Sequence, residues 1–359
     1  MIIASIITLY ALLLLLTALA MHSVPYFNFS DDAKTGFSII IPFKDEENNL
    51  LPLLKSLQNL NYPAELFEII MVDDHSEDNS CQIINQFNNL SITLLNNNGV
   101  GKKSALEKGI SQAKNNWIIT TDADCELPTD WLSAYNAKIV QSNAKMILAP
   151  VVFVDDNSFL QQFQQIEFLS LQALTMASCQ WKKPFLSNGA NLGFQKNAFL
   201  QVNGYEGNKQ IASGDDVFLL EKFQLAFPHQ IEYLKTRKAL VKTQAQKDWK
   251  SLLQQKVRWG GKTKNYKSTL PKIIGALILI ANFSVLICFA LGTTNRFYFW
   301  IILAKLFIDT SYIIYISRFF KLRINFYNII VSFLYYPVFL IKLIVFSFSN
   351  KLEWKGREF

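Results

Sequence analysis

Two stretches of this chain carry so few charges that water is a poor solvent for them. Residues 1–21, MIIASIITLYALLLLLTALAM, and most of residues 272–349 read as long apolar runs, whereas the segment between them alternates as a globular domain does. A helix rises about 1.5 Å per residue, so about 20 apolar residues cover the hydrocarbon core of a bilayer. The first run meets that length, and three more candidate spans follow near residues 272–292, 297–317 and 325–348. Composition agrees: half of the chain is hydrophobic, 14% is aromatic and 29 residues are Phe. The expected product is an integral membrane protein with a soluble domain slung between an anchor at 1–21 and further spans at 272–349.

The ALA at residues 18–20 also fits a signal-peptide cleavage site. The run has no basic leader and is longer than the usual apolar region of such peptides, so a retained anchor is expected. Lys262, Lys264, Lys267 and Lys272 precede the second span, and Arg318, Lys321 and Arg323 separate the last two. By the positive-inside rule both clusters, and with them the central domain, are expected on the cytoplasmic face of the inner or plasma membrane. Four crossings would then strand the basic tail, residues 350–359, outside. The segment with Lys305, Asp309 and Arg318 is therefore a candidate for a re-entrant or interfacial helix, unless Lys305 and Asp309, four residues apart, pair toward a helix bundle.

Cys81, Cys125, Cys179 and Cys288 show no framework spacing, which fits a reducing compartment. His22, His75 and His229 are too scattered for a zinc site. The net charge of +7 gathers beside the apolar spans, which points to anionic headgroups and a phosphorylated substrate rather than to nucleic acid.

The middle of the chain alternates strand-like and helix-like stretches. FSIIIPF at 37–43, FEIIMV at 67–72, SITLLN at 91–96 and WIITT at 117–121 read as strands, each followed by a helical segment. Apolar runs of this kind between helices predict an α/β fold, a doubly wound, mostly parallel sheet. In such sheets ligands bind beyond the carboxyl ends of the strands. There the sequence places Pro42, Lys44, Asp45, Glu46 and Glu47, then DDHSED, then NNNGVGKKSAL, then DADCE.

Asp122 and Asp124, read as an extension of the fourth strand, would project to one side about 6.6–6.8 Å apart. A divalent cation, Mg²⁺ or Mn²⁺, would relieve their repulsion, with phosphate oxygens and water completing its shell. A solvated turn with Asp124 capping the next helix is the plainer alternative. Asp73 and Asp74 fit either a helix cap or acceptors for a nucleobase or ribose, and His75 fits a turn. Gly99, Gly101 and Lys102 or Lys103 open a helix in a way that suits phosphate, without the spacing of a nucleoside-triphosphatase loop. LSNGANLGFQKNAFLQVNGY at 186–205 reads as a loop near a ligand running into a helix. Asp215 and Asp216 open an apolar helix, as a cap or as a general base. The stretch 248–261 predicts an amphipathic helix with Trp249, Leu252, Leu253 and Val257 at the lipid interface and Gln255, Arg258 and Trp259 at the site; simple anchoring by Trp and Arg is the alternative.

Taken together, IIIPFKDEENNL, VDDHSED, GKKSAL, DAD, NGANLGF, GDDVFL and QKVRW, in this order over roughly residues 36–261, resemble membrane-bound family 2 glycosyltransferases with a GT-A fold. The resemblance implies a GT-A domain at 36–245 and a QxxRW interface helix at 246–268. It also implies a nucleotide-sugar donor, usually UDP-linked, contacted by Pro42, Glu47, Asp73, Asp74, Lys103 and Asp122. Asp124, supported by Asp122, would hold Mg²⁺ or Mn²⁺, and Asp216, beside Asp215, would be the base of an inverting hexosyl transfer. Asn188, Gly189, Gln255, Arg258 and Trp259 would meet the diphosphate and the acceptor. Asp215 stands where the family pattern usually has Glu. Cellulose, hyaluronan and ceramide-glucosylating enzymes share these motifs. Three C-terminal spans are few for a polysaccharide channel, so the expected acceptor is a membrane lipid or lipid-linked glycan. A processive polysaccharide synthase is the alternative, followed by a nucleotidyltransferase or nucleotide-binding membrane regulator.

Overall fold

The computed structural model describes residues 1–25, 33–154, 157–208, 214–261, 266–349, 353–354 and 357–358. Lys262 and Lys264 of the first basic cluster and most of the basic tail lie outside the described residues.

After α1 (Ile2–Ser23) come β1 (Phe37–Phe43), α2 (Leu50–Gln58), β2 (Phe67–Asp73), α3 (Ser80–Asn85), β3 (Ile92–Asn96), α4 (Lys102–Gln112), β4 (Trp117–Thr120) and α5 (Trp131–Val140). The chain continues through β5 (Met146–Leu148), β6 (Val151–Phe153), α6 (Phe159–Gln180), β7 (Leu192–Gln195), α7 (Lys196–Gln201), α8 (Asp215–Ala226), β8 (Ile231–Tyr233) and β9 (Val241–Thr243). It closes with α9 (Trp249–Gly261), α10 (Leu270–Gly292), α11 (Arg296–Phe320) and α12 (Phe326–Ser349).

Among the described residues, seven strands make the main sheet in the order β3-β2-β1-β4-β7-β5-β8. Only β7 runs against its neighbours β4 and β5; the other pairings are parallel, as the sequence predicts. Alternate residues of each strand feed opposite faces. Ile40, Ile70, Val72 and Ile118 pack with Ala105, Leu106 and Ile110 of α4 and Leu169 and Met176 of α6. Ile39, Ile41, Ile69, Met71 and Ile119 pack with Leu53, Leu54 and Leu57 of α2 and Trp131, Leu132 and Tyr135 of α5.

Pro42 in this central strand costs no ladder bond. Ile40 O faces β4, where it accepts from Thr121 N. Residues two apart face the same side, so the missing N–H of Pro42 falls beyond Thr120, where β4 has already ended.

The strand β7 is a correction to the reading of residues 186–205 as a loop running into a helix. LGFQ is too short and too glycine-rich to advertise a strand. Its glycine is there for close packing: a Cβ on Gly193 would lie 2.5 Å from Cε1 of Tyr135.

Among the described residues, four helices are long and apolar enough to cross a membrane: α1, α10, α11 and α12. They pack together, with Ile7 and Tyr10 of α1 meeting Ala281 and Val285 of α10, Ile301 and Ile302 of α11 and Phe333 of α12. Lys305 is fully buried among them, 2.6 Å from Asp309 Oδ2 and 3.1 Å from Asn282 Oδ1. Tyr10 donates to Asp309 Oδ1 at 2.9 Å. The bundle-facing pair expected from their spacing is thus what forms. Both α11 and α12 also lean on the domain: Tyr312, Ile313 and Ile316 pack with Leu169 and Ala173 of α6, and Phe339 with Phe163 of α6 and Leu252 of α9.

A second joint is polar. Lys235, buried just after β8, donates to Met21 O at 2.7 Å, His22 O at 3.2 Å and Val24 O at 2.7 Å. Those carbonyls have no partner within a helix terminus, and a cation there also opposes the helix dipole. Lys235→Ala should therefore lower the thermal midpoint of the detergent-solubilised protein by a few degrees, the counterpart of about 2 kcal/mol for charged hydrogen bonds; an unchanged midpoint would show that the joint carries no stability.

Candidate active site

Strand β4 ends at Thr120, and the next four residues turn, Cys125 N donating to Asp122 O at 3.2 Å. The two carboxylates of DAD therefore leave a turn, not an extended strand, which corrects the spacing argument. Their surroundings differ. Lys102 Nζ donates to Asp122 Oδ1 at 2.6 Å and sits 3.7 Å from Asp215 Oδ2. Burial works to lower the Lys102 pKa, but Asp122 and Asp215 more than reverse it and hold the ammonium charged well above the usual lysine range.

Asp124 is bound by Thr243 of β9, whose hydroxyl donates to Oδ2 at 3.2 Å. Burial first, then the charges of Asp122 and Glu46, push its carboxyl up to about 6. A buried acid in a surplus of negative charge is a fit for a cation. Asp124 and Asp122 could supply two oxygen donors of the kind that suits Mg²⁺ or Mn²⁺; among the described residues no group of three or more His, Cys, Asp or Glu side chains is arranged to hold a metal.

Asp215 and Asp216 open α8, whose preceding Gly214 takes φ 84°. Asp216 Oδ2 accepts from Gly189 N at 3.3 Å and Oδ1 from Val217 N at 2.7 Å. Thr120 Oγ1 donates to Gly189 O at 2.8 Å, tying this short turn to the end of β4. A side chain at Gly189 would crowd the acids: its Cβ would lie 3.1 Å from Asp215 Oδ2, which would have to shift by a few tenths of an ångström, and 3.6 Å from Lys102 Nζ. Asn188 caps the same turn, accepting from Ala190 N at 3.0 Å. The half-buried Arg258 of α9 is the second cation here; burial draws its pKa down while Asp215 and Asp122 draw it up. Trp259 lies beside it under Lys256, whose Nζ is 4.5 Å from the ring centroid, and Gln255 Oε1 is buried with no hydrogen-bond partner.

Other residues singled out by the sequence sit at the same rim but hold loops. Both oxygens of buried Asp74 accept from Gly101 N, at 2.9 and 3.0 Å, and Oδ1 also accepts from Asn97 Nδ2 at 2.7 Å. Gly101 has φ 94°, which lets its N–H turn to Asp74. Asp73 Oδ1 accepts from Ser76 N at 2.9 Å, and Glu47 Oε2 accepts from Asn79 N at 3.1 Å. His75, with φ 64°, is the turn residue expected. Lys103 leaves the cluster: its Nζ donates to Asn208 O at 2.6 Å and lies 5.4 Å from the Phe218 ring. Leu252, expected at the lipid surface, is instead fully buried between α6 and α12, and Trp249 packs on Phe163 and Tyr335.

With this arrangement in view, residues 38–199 match the model of glycosyl transferase family 2. These residues form a glycosyl transferase family 2 domain. The chain is 27% identical over 233 residues to a probable glycosyltransferase, YdaM, of Bacillus subtilis, covering 62% of this chain and 54% of that protein. It is 33% identical over 98 residues to an undecaprenyl-phosphate 4-deoxy-4-formamido-L-arabinose transferase of Proteus mirabilis, covering 26% of this chain and 30% of that one. The chain thus spans about half, or less, of the length of these relatives. Among solved structures, a mannosyltransferase of Pyrobaculum calidifontis in complex with GDP-Man and Mn²⁺ superposes with a TM-score of 0.58 at 16% identity, over 97% of this chain and 99% of that one. That likeness shows the GT-A fold.

Sequence reasoning missed Thr243, which lies over a hundred residues from Asp124 and beyond the matched segment, and the role of Asn191. Asn191 is buried, accepts from Trp131 Nε1 and Tyr135 OH, and donates to Pro150 O and Ala239 O, which fixes the turn carrying Gly189. Nothing local to NGAN separates that support role from ligand contact.

Asp124 ionises near its ordinary 3.8 when unfolded and only at about 6 when folded. The folded state therefore holds the extra proton in that window, and stability falls as pH rises through it. With metal removed by chelation, Asp124→Asn should melt a few degrees above the parent at about pH 7.5 and together with it below about pH 4; equal midpoints at both would remove the buried-charge account.

Proposed function

We propose that this protein is an inverting glycosyltransferase that moves a sugar from a nucleotide sugar to a membrane lipid or lipid-linked acceptor. One observation carries the reading: Asp122, the adjacent Asp215 and Asp216, and Gly189, from three separate segments, meet around Lys102 at the carboxyl edge of the sheet, with Arg258 adjoining. The family 2 domain and the neighbour that holds GDP-Man and Mn²⁺ support a nucleotide-sugar donor, and the relative named for undecaprenyl phosphate supports a lipid, though not its head chemistry, as acceptor. Four helices able to cross a membrane support an acceptor presented by the bilayer.

In this mechanism Asp216 takes the proton of the acceptor hydroxyl as its oxygen attacks the anomeric carbon. The bond from that carbon to the diphosphate breaks, and the nucleoside diphosphate leaves with the electron pair. Gly189 N holds Asp216 in place, and each carboxylate oxygen has two lone pairs, so holding and proton transfer are compatible. Lys102 and Arg258 offset the charge that gathers on the leaving group. Asp124 and Asp122 would hold Mg²⁺ or Mn²⁺, which when bound neutralises diphosphate charge. Asp73, Asp74 and Glu47 shape the loops around the nucleotide, and Trp259 offers an aromatic face to sugar or acceptor.

Membranes containing the protein, incubated with a panel of radiolabelled nucleotide sugars and then extracted with organic solvent, should carry label in the lipid phase. Label found only in high polymer would replace this reading with a synthase. Asp216→Asn should lower transfer by about 10²- to 10⁴-fold while donor binding persists; unaltered turnover would remove Asp216 as base. Mn²⁺ should raise the melting temperature of the parent and leave Asp124→Asn unmoved, and an equal rise in both would remove the metal assignment.

A further inference from the structure

Between the family 2 domain and the membrane helices lies a cavity of about 140 Å³. Its floor is one face of α6, where Phe163, Glu167 and Ser170 follow at helical spacing. Its walls include Thr17 of α1, Asp309 of α11 and Ser332 of α12. A cavity of roughly 150 Å³ admits a benzene ring, so this one admits about six heavy atoms, the size of a glycerol head.

The charge of the lining is balanced in pairs. Among the described residues its two ionisable acids are Glu167 and Asp309, and no lysine or arginine lines it. Each acid is already matched by a cation behind it: Lys256 Nζ is 2.7 Å from Glu167 Oε2, and Lys305 Nζ is 2.6 Å from Asp309 Oδ2. A phosphate in this space would lose its hydration without a counter-ion of its own. A neutral hydroxyl needs none, because it can donate to an acid and accept from an alcohol. Ser332 is 4% exposed, and its Oγ has no hydrogen-bond partner. The cavity also adjoins the helix of the candidate site, for Lys256 bridges Glu167 to the face of Trp259.

We propose that this cavity binds the head of an uncharged, hydroxyl-bearing lipid of the diacylglycerol type and excludes lipids that carry a phosphate there. Its identification with the acceptor rests on the glycosyltransferase reading; the binding selectivity does not. The test uses the full chain in nanodiscs with a diacylglycerol bearing a diazirine close to its glycerol, alongside the phosphatidic acid built on the same chains. The diacylglycerol probe should label peptides around Ser170 and Ser332, compete with unlabelled diacylglycerol, and exceed the phosphatidic acid probe by at least about fivefold. Ser170→Phe should abolish the labelling by filling the space. Ser332→Ala, which deletes a single oxygen and leaves packing intact, should weaken it by about fivefold through one lost hydrogen bond, and it decides the matter if the larger variant does not fold. Equal or stronger labelling by phosphatidic acid, labelling that resists competition, or labelling unchanged in Ser332→Ala would overturn the proposal. Metal-dependent donor hydrolysis, read on the same samples, keeps the two ideas apart: its absence from a parent protein that still labels selectively would defeat the glycosyltransferase reading alone.

Discussion

One ammonium group holds the candidate site together. Lys102 stands between Asp122, at the end of the fourth strand, and Asp215, at the start of α8, and those acids lie over ninety positions apart in the chain. Without a cation between them, the sheet edge would bring together carboxylates that repel and lose hydration at once. The neighbouring pieces follow from that neutralisation. Gly189 can come close because it has no side chain, its N–H reaches Asp216, and Thr120 fastens its carbonyl. At Asp124 the same ammonium only partly offsets burial and the charges of Asp122 and Glu46, which together raise its carboxyl to about 6.

How much of this was readable beforehand depended on the range of the interactions involved. Parallel strands, their helices and the acids at their ends are local patterns, and β1, β2 and β4 begin where the apolar runs begin. The antiparallel β7 is not local: LGFQ becomes a strand because the edges of β4 and β5 need a partner and Tyr135 needs room over Gly193. The choice between Lys102 and Lys103 was equally out of reach. Successive helix residues point about 100° apart, so which one meets the acids depends on how Asp74 sets the loop through Gly101. Asp74 looked like a ligand contact for the same reason, since a carboxylate at a strand end serves a loop or a nucleotide with identical chemistry. The bundle-facing pairing of Lys305 with Asp309 was legible because four-residue spacing on a helix is geometry the sequence carries by itself.

The seam between soluble domain and membrane helices is mixed in character. Aromatic rings join α6, α9 and α12, with Phe163 touching Trp249, Tyr335 and Phe339. Ion pairs run through the same region, Glu167 with Lys256 on one side and Lys305 with Asp309 on the other. Such a seam interlocks through its rings on one side and, on the other, sets a few polar groups into the mostly apolar wall of the cavity.

The grip of Lys235 on the end of α1 has a wider meaning for how the molecule is assembled. Met21, His22 and Val24 are clasped by a residue more than two hundred positions downstream, so the C-terminal end of the first helix is fastened to the sheet by tertiary contact, and the pose of that helix against the domain is written into the fold itself.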